Sequence, residues 1–158
     1  MKAIRRTVYG SPDVLALEDV PTPVPGDRDV LVAVHVASVN RADVDYLTGR
    51  PLITRMGTGV RGPKHAGLGL DAAGIVEAVG KDVKEFQPGD QVFGGRTGAL
   101  AEYVVAKAER AIVPKPSTAS FEESAAVPVA ALTALQALRD KGKLQPGQKV
   151  LVHGASGG

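Results

Sequence analysis

The sequence predicts a mainly β protein with some α, ordered as many short strands, then helices, then the opening strand of a β-α-β unit. Three observations predict it. Between residues 2 and 113 short apolar runs recur, each bounded by Gly or Pro. After residue 118 the texture changes to an Ala- and Leu-rich helical pattern. Residues 149–158, KVLVHGASGG, read as a buried strand, 149–153, followed by a glycine-rich turn. The change of texture falls between residues 118 and 128 and divides the chain into residues 1–126 and 127–158.

From Lys2 to Thr7 apolar and polar residues roughly alternate, Gly10-Ser11-Pro12 turns the chain, and Val14 to Val20 offers a second strand. Pro21, Pro23, Pro25 and Gly26 cannot sit inside a central strand and form a linker. Asp29 to Val39 is the clearest strand: Val30, Val32, Val34 and Val36 share one face, with Leu31, Ala33, His35 and Ala37 on the other. Both faces are largely apolar, so this strand is expected to be central. Asn40 is a candidate helix N-cap, Arg41 to Thr48 a short helix, and Gly49 suits the left-handed residue that ends one. Residues 50–69 read as a long, glycine-rich loop carrying Arg50, Arg55, Arg61 and Lys64.

A strand over LDAAGIVEAVG contains Gly74 and ends at Gly80. The turn QPGD leads to QVFGG, Leu100 to Ala106 forms another strand, and Ile112-Val113 is a last one before Pro114 and Pro116. Ser120, followed three residues later by Glu123, has the capping-box form and opens a helix through Ala126. Pro128 interrupts it. Val129 to Arg139 continues as a helix apolar on nearly every side, the pattern of a buried helix.

At 158 residues the chain is long enough to bury a core, and 44% hydrophobic residues with a mean hydropathy of +0.01 match an ordinary soluble protein. With three Phe, three Tyr and no Trp, that core must be built mainly of Val, Ala and Leu. No apolar run approaches the roughly 20 residues of a membrane span, and MKAIRRTVYG lacks the apolar stretch of a signal peptide. A cytoplasmic protein without a membrane partner is expected. The absence of Cys excludes disulfides and thiolate-ligated metals, and the spacing of His35, His65 and His153 puts no two of them on one face, so no metal site is expected. A net charge of +2, scattered basic residues and few aromatics point away from nucleic acid.

The segments VASVNRADVDYLTG, GLDAAGIVEAVG, PGDQVFGG, GALAEYVV, AAVPVAALTALQAL and VLVHGASGG, in that order and spacing, span almost the whole chain. Together they resemble the medium-chain dehydrogenase/reductase superfamily, specifically its zinc-free quinone-oxidoreductase-like branch. The resemblance implies a GroES-like β-barrel catalytic domain over residues 1–126. From residue 127 it implies the first helices and first strand of a Rossmann domain that binds NADPH, with the active site in the cleft between the two. Complete members continue far beyond the glycine-rich turn, whereas this sequence stops at the second glycine of the branch's GASGGVG form. It therefore resembles a truncated member.

The activity so implied is the zinc-independent, NADPH-dependent reduction of a small-molecule quinone or α,β-unsaturated carbonyl by hydride transfer. Zinc-dependent members resemble this sequence but place Cys where Asn40 stands and a His-Glu pair where Leu70-Asp71 stands. Asn40 matches the Asn that lines the cleft near the nicotinamide and the substrate carbonyl, and its amide offers both a donor and an acceptor. Helix capping is its simpler, compatible role. Tyr46 is a candidate substrate-stacking residue, although family members carry their Tyr where this chain has Asp45. Asp43 matches a common acidic position, and an exposed acid on a first helical turn also favours the helix dipole without any catalysis.

Thr133 matches a Thr that faces the nicotinamide end of the cofactor; taken alone, a buried hydroxyl in an apolar helix bonds the carbonyl four residues back. Gly154, Ala155, Ser156 and Gly157 match the turn whose backbone N–H groups approach the cofactor pyrophosphate, and no Gly-Lys-Ser/Thr follows to make a Walker A loop. The basic loop from Arg50 to Lys64 reads as solvated and flexible, or as an electrostatic attractor for a phosphorylated cofactor. A second reading is a non-catalytic GroES-like binding or structural module, or a pseudo-enzyme without its cofactor domain; residues 127–158 argue against it as an original design. Strand 149–153 would be buried on both faces of a parallel sheet. Without neighbours it is expected to pair with the edge of another molecule, fold back on the barrel, or be disordered.

Overall fold

Valine at every second position drives Asp29–Ser38 into the longest strand of the computed structural model, which describes residues 1–154. This is β3, after β1 (Lys2–Arg5) and β2 (Ala16–Asp19), which pair antiparallel as a small sheet. With β4 (Asp71–Val79), β5 (Gln91–Gly95), β6 (Tyr103–Lys107) and β7 (Ile112–Pro114) it builds an antiparallel five-stranded sheet ordered β6-β3-β4-β5-β7. β3 is thus interior, as its two apolar faces demand. Isolated bridges Ala3–Ala101 and Arg5–Gly67 tie β1 to this sheet and curl the whole. The core between the curled faces is small and β-branched: Val30, Val32, Val76, Val92, Val104 and Ile112, closed by Phe86.

Gly74 interrupts the apolar run of β4 for a steric reason. A Cβ there would overlap the carbonyl oxygen of Ala33 on β3, next to the register shift between Val34 and Val36.

Helix α1 (Arg41–Thr48) begins at Asn40 and ends at Gly49, whose φ of 61° and ψ of 33° are left-handed. The 50–69 segment holds a short helix, α2 (Thr54–Thr58), that its glycines did not announce. Tertiary contacts account for it: the Tyr9 hydroxyl reaches Thr58 Oγ1 at 2.8 Å and donates to the Gly59 carbonyl at 2.7 Å, and the Arg55 guanidinium lies over the Tyr9 ring at 4.7 Å. A single turn, α3 (Ala108–Ala111), precedes β7. Helix α4 (Phe121–Ala125) carries the expected capping box, with Ser120 Oγ accepting from Glu123 N at 3.1 Å and Glu123 Oε2 accepting from Ser120 N at 2.8 Å. Helix α5 (Pro128–Leu135) passes into a wider π-helical turn over Gln136–Lys141.

Two apolar segments lie uncovered, the first against expectation and the second, 149–153, as expected of a strand without neighbours. The 129–139 helix, read as buried, leaves Leu132, Leu135 and Leu138 exposed, because β5 meets only its start and no other described strand or helix of the barrel covers its length. Residues 149–153 form no strand, and Leu151 is 90% exposed. A strand is held by ladder hydrogen bonds, and among the described residues no partner runs beside this one.

Candidate functional site

Asn40 stands where β3 ends and α1 begins, with φ −129° and ψ 179°, the extended geometry of an N-cap. Its Oδ1 accepts from Ala42 N at 2.8 Å and its backbone N–H donates to Asp43 Oδ2 at 2.9 Å, a reciprocal capping box. Its Nδ2 donates to Asp71 Oδ2 at 3.0 Å. Asp71 opens β4 and is 1% exposed, and it also accepts from Val129 N in the first turn of α5, at 3.2 and 3.3 Å. One buried carboxylate therefore joins α1, β4 and α5.

Burial pushes the Asp71 carboxyl above the ordinary carboxylate range, while hydrogen bonds from Val129, Asn40 and Ser38 pull the other way. Asp43, expected as an exposed acid, is buried because its carboxylate turns inward to close the capping box. Burial pushes its carboxyl up as well, the Asn40 N–H opposes this, and the nearby Asp71 charge adds to it.

A cavity of about 600 Å³ opens between β5, β7 and α5, lined by Phe93, Gly95, Ile112, Val129, Leu132 and Thr133 among others. Asp71 lies behind its wall: Val129 donates to it, and a Cβ on Gly95 would stand 3.7 Å from Asp71 Oδ1. Thr133 faces this cavity and is exposed rather than buried, and among the described residues its hydroxyl has no partner, so the expected back-bond to the preceding turn is not made.

The structure thus brings Asn40 to one side of Asp71 and the Thr133 cavity to the other, while Asn40 itself does not line that cavity. Tyr46 is half-buried on α1, where its carbonyl accepts from Arg6 at 2.8 Å, and among the described residues no hydrogen bond joins its side chain to the Asn40–Asp71 pair. Gly154 has a φ of 75° and open space where a Cβ would stand; Ala155, Ser156 and Gly157 lie outside the described residues.

Sequence reasoning missed Asp71 as a site residue. Its signal was an acid heading the otherwise apolar run DAAGIV. It also missed Arg6, whose buried guanidinium holds the last turn of α1 and lies 5.6 Å from the centre of the Tyr9 ring.

Residues 26–117 match the family model of the alcohol dehydrogenase GroES-like domain. Quinone oxidoreductase of Lama guanicoe is 41% identical over 162 residues, an alignment covering 100% of this chain and 46% of that protein. Quinone oxidoreductase of Escherichia coli, solved in complex with NADPH, has a TM-score of 0.77 at 26% identity, over 89% of this chain and 41% of that one. The CurK enoyl reductase has a TM-score of 0.83 at 27% identity, over 93% of this chain and 45% of that one. The chain spans about half the length of the curated relatives it matches.

Proposed function

The chain belongs to the alcohol dehydrogenase GroES-like domain family, on the quinone-oxidoreductase branch of the medium-chain dehydrogenase/reductases, and on that premise we propose that it carries the substrate-binding half of an NADPH-dependent, zinc-independent reductase of quinones or α,β-unsaturated carbonyls. Residues 1–126 are the catalytic domain in this reading, and residues 127–158 begin the nucleotide-binding domain.

The observation that carries the reading is the state of the Asn40 amide. Oδ1 is engaged by Ala42 and one N–H of Nδ2 by Asp71, and the second N–H on Nδ2 has no partner among the described residues. That N–H is the donor for the carbonyl oxygen of a quinone or enone, or for a ribose hydroxyl of the cofactor. Ala42 N–H on Oδ1 and Asp71 on the other N–H fix the plane of the amide, so the second N–H is held in one direction before the substrate arrives.

NADPH, when bound, supplies the hydride that adds to the substrate carbon. The proton that completes the reduction comes from water, and Asn40 holds the developing oxyanion until it arrives. The 600 Å³ cavity has the size of a small-molecule site and a mostly apolar lining, and Thr133 on its wall is assigned to the cofactor side, across Asp71 from Asn40. Gly154 is left-handed, and it is assigned together with Ala155, Ser156 and Gly157 to the cofactor pyrophosphate. Tyr46 is assigned to the substrate side and the whole to the cytoplasm.

Two measurements on the same protein test this. NADPH oxidation is followed with 1,4-benzoquinone and with 2-cyclohexenone, and thermal unfolding is followed during an NADPH titration. Ligand at a hundredfold excess over its dissociation constant adds about 2.7 kcal/mol, roughly 5–10 °C in midpoint for a chain of this size. Turnover with such a shift is the expected result. Neither turnover nor shift overturns the enzyme reading for this chain and leaves a GroES-like binding module.

A further inference from the structure

Arg5, Lys64, His65 and Arg96 line a single pocket of about 340 Å³, completed by Ala66, Gly67 and Thr97. The four basic side chains come from three separate segments: β1, the loop before β4, and the connection between β5 and β6. Backbone contacts lock these segments together, through the Arg5–Gly67 bridge, the Arg6 N–H to the Ala66 carbonyl at 2.9 Å, and the Gly98 N–H to the Gly69 carbonyl at 2.9 Å. The two loops also pack backbone to backbone, since a Cβ on Gly67 would come within 3.1 Å of Gly98 Cα.

Among the described residues no carboxylate lines this pocket. Arg5 meets Glu18 at 3.0 Å and Arg96 Nε donates to the Val105 carbonyl at 3.0 Å, but among the described residues Lys64 and His65 have no side-chain partner. Gathering basic groups around one opening raises the energy of each by like-charge repulsion, and an anion in the opening reverses the sign of that interaction. The backbone locks therefore hold the Lys64 ammonium beside Arg5 and Arg96, whose charges Glu18 and Asp29 offset in part. Thr97 adds a neutral hydroxyl donor to the pocket.

We propose that this pocket binds an oxyanion, the phosphate or carboxylate group of a small molecule. Arginine forks and the Lys64 ammonium match phosphate and carboxylate oxygens. The pocket is separate from the Thr133 cavity but continuous with its wall in the chain, because Arg96 directly follows Gly95, which backs onto Asp71. The inference needs no reductase activity.

The test is a ¹H–¹⁵N NMR titration of the protein with inorganic phosphate in chloride-free buffer. Expected are saturable shifts at residues 64–67 and 96–98, with affinity reduced about tenfold in the Lys64→Gln/Arg96→Gln double variant, the loss of roughly one exposed charge-assisted hydrogen bond. A control double variant, Lys84→Gln/Lys141→Gln, removes equal charge from exposed positions elsewhere and is expected to change affinity less than about twofold. Shifts scattered over the surface, or equal weakening by both double variants, overturn the proposal. Competition then identifies the source: displacement of phosphate by NADPH but not by NADH assigns the pocket to a cofactor phosphate, and displacement by neither assigns it to an anionic substrate or free phosphate.

Discussion

Asn40 and Asp71, 31 residues apart in the chain, meet in a 3.0 Å hydrogen bond between a helix cap and a carboxylate almost wholly removed from solvent. The same carboxylate accepts the first free N–H of α5, so the orientation of the Asn40 amide and the seating of that helix depend on one buried group. Each of the following expectations tests a different part of this arrangement.

Replacing Asn40 by Ala removes the cap on α1 and one donor to Asp71. The cap contributes about 1 kcal/mol, and a buried carboxylate deprived of a donor costs about 1–3 kcal/mol more. Urea unfolding of Asn40→Ala is therefore expected to show a loss of about 2–4 kcal/mol. A loss below about 1 kcal/mol would mean that the Asp71 bond contributes nothing.

Acid titration should reveal the buried carboxyls. Because burial raises the folded-state pKa of Asp43, the native chain binds more protons than the unfolded chain from the ordinary carboxylate pKa, about 3.9, up to the raised value. Its ionisation thus costs stability at neutral pH, and that cost disappears as pH falls through the raised pKa. Asp43→Asn carries no such cost. Its stability relative to wild type is expected to decline as the pH falls from neutral through the raised pKa toward the ordinary carboxylate value, read as the difference in unfolding midpoints. A difference constant with pH would contradict the burial of this carboxyl.

Gly74→Ala places a methyl group into the Ala33 carbonyl on the neighbouring strand, with the carbonyl carbon at 3.0 Å. Backbone cannot yield as a flexible side chain can. A destabilisation of about 3 kcal/mol is expected, seen as a lower unfolding midpoint or loss of soluble protein. An unchanged midpoint would show that β3 and β4 do not approach as closely as the register requires.

Thr133→Val separates fold from function. The hydroxyl has no partner among the described residues and faces the cavity, so stability should change by less than about 0.5 kcal/mol. NADPH affinity should weaken about fivefold, the value of one neutral hydrogen bond, as read from the thermal-shift titration. Equal NADPH affinity in the two proteins would remove Thr133 from the cofactor site.

Local sequence by itself determined the strand of alternating valines, the Asn40 and Ser120 caps, and the left-handed Gly49, because each rests on steric and hydrogen-bonding rules among a few neighbouring residues. The ordered motifs across the chain were likewise enough to place it in its family. Only the tertiary structure decided that Asp43 and Asp71 are buried against one another's field, that α2 forms on Tyr9, and that Thr133 lies open on a cavity. It also decided that Leu132 and Leu135 of α5 and Val150, Leu151 and Val152 are exposed among the described residues. Burial is a property of which elements meet, and an apolar pattern states only that a segment would gain by being covered. Whether it is covered depends on partners distant in the chain.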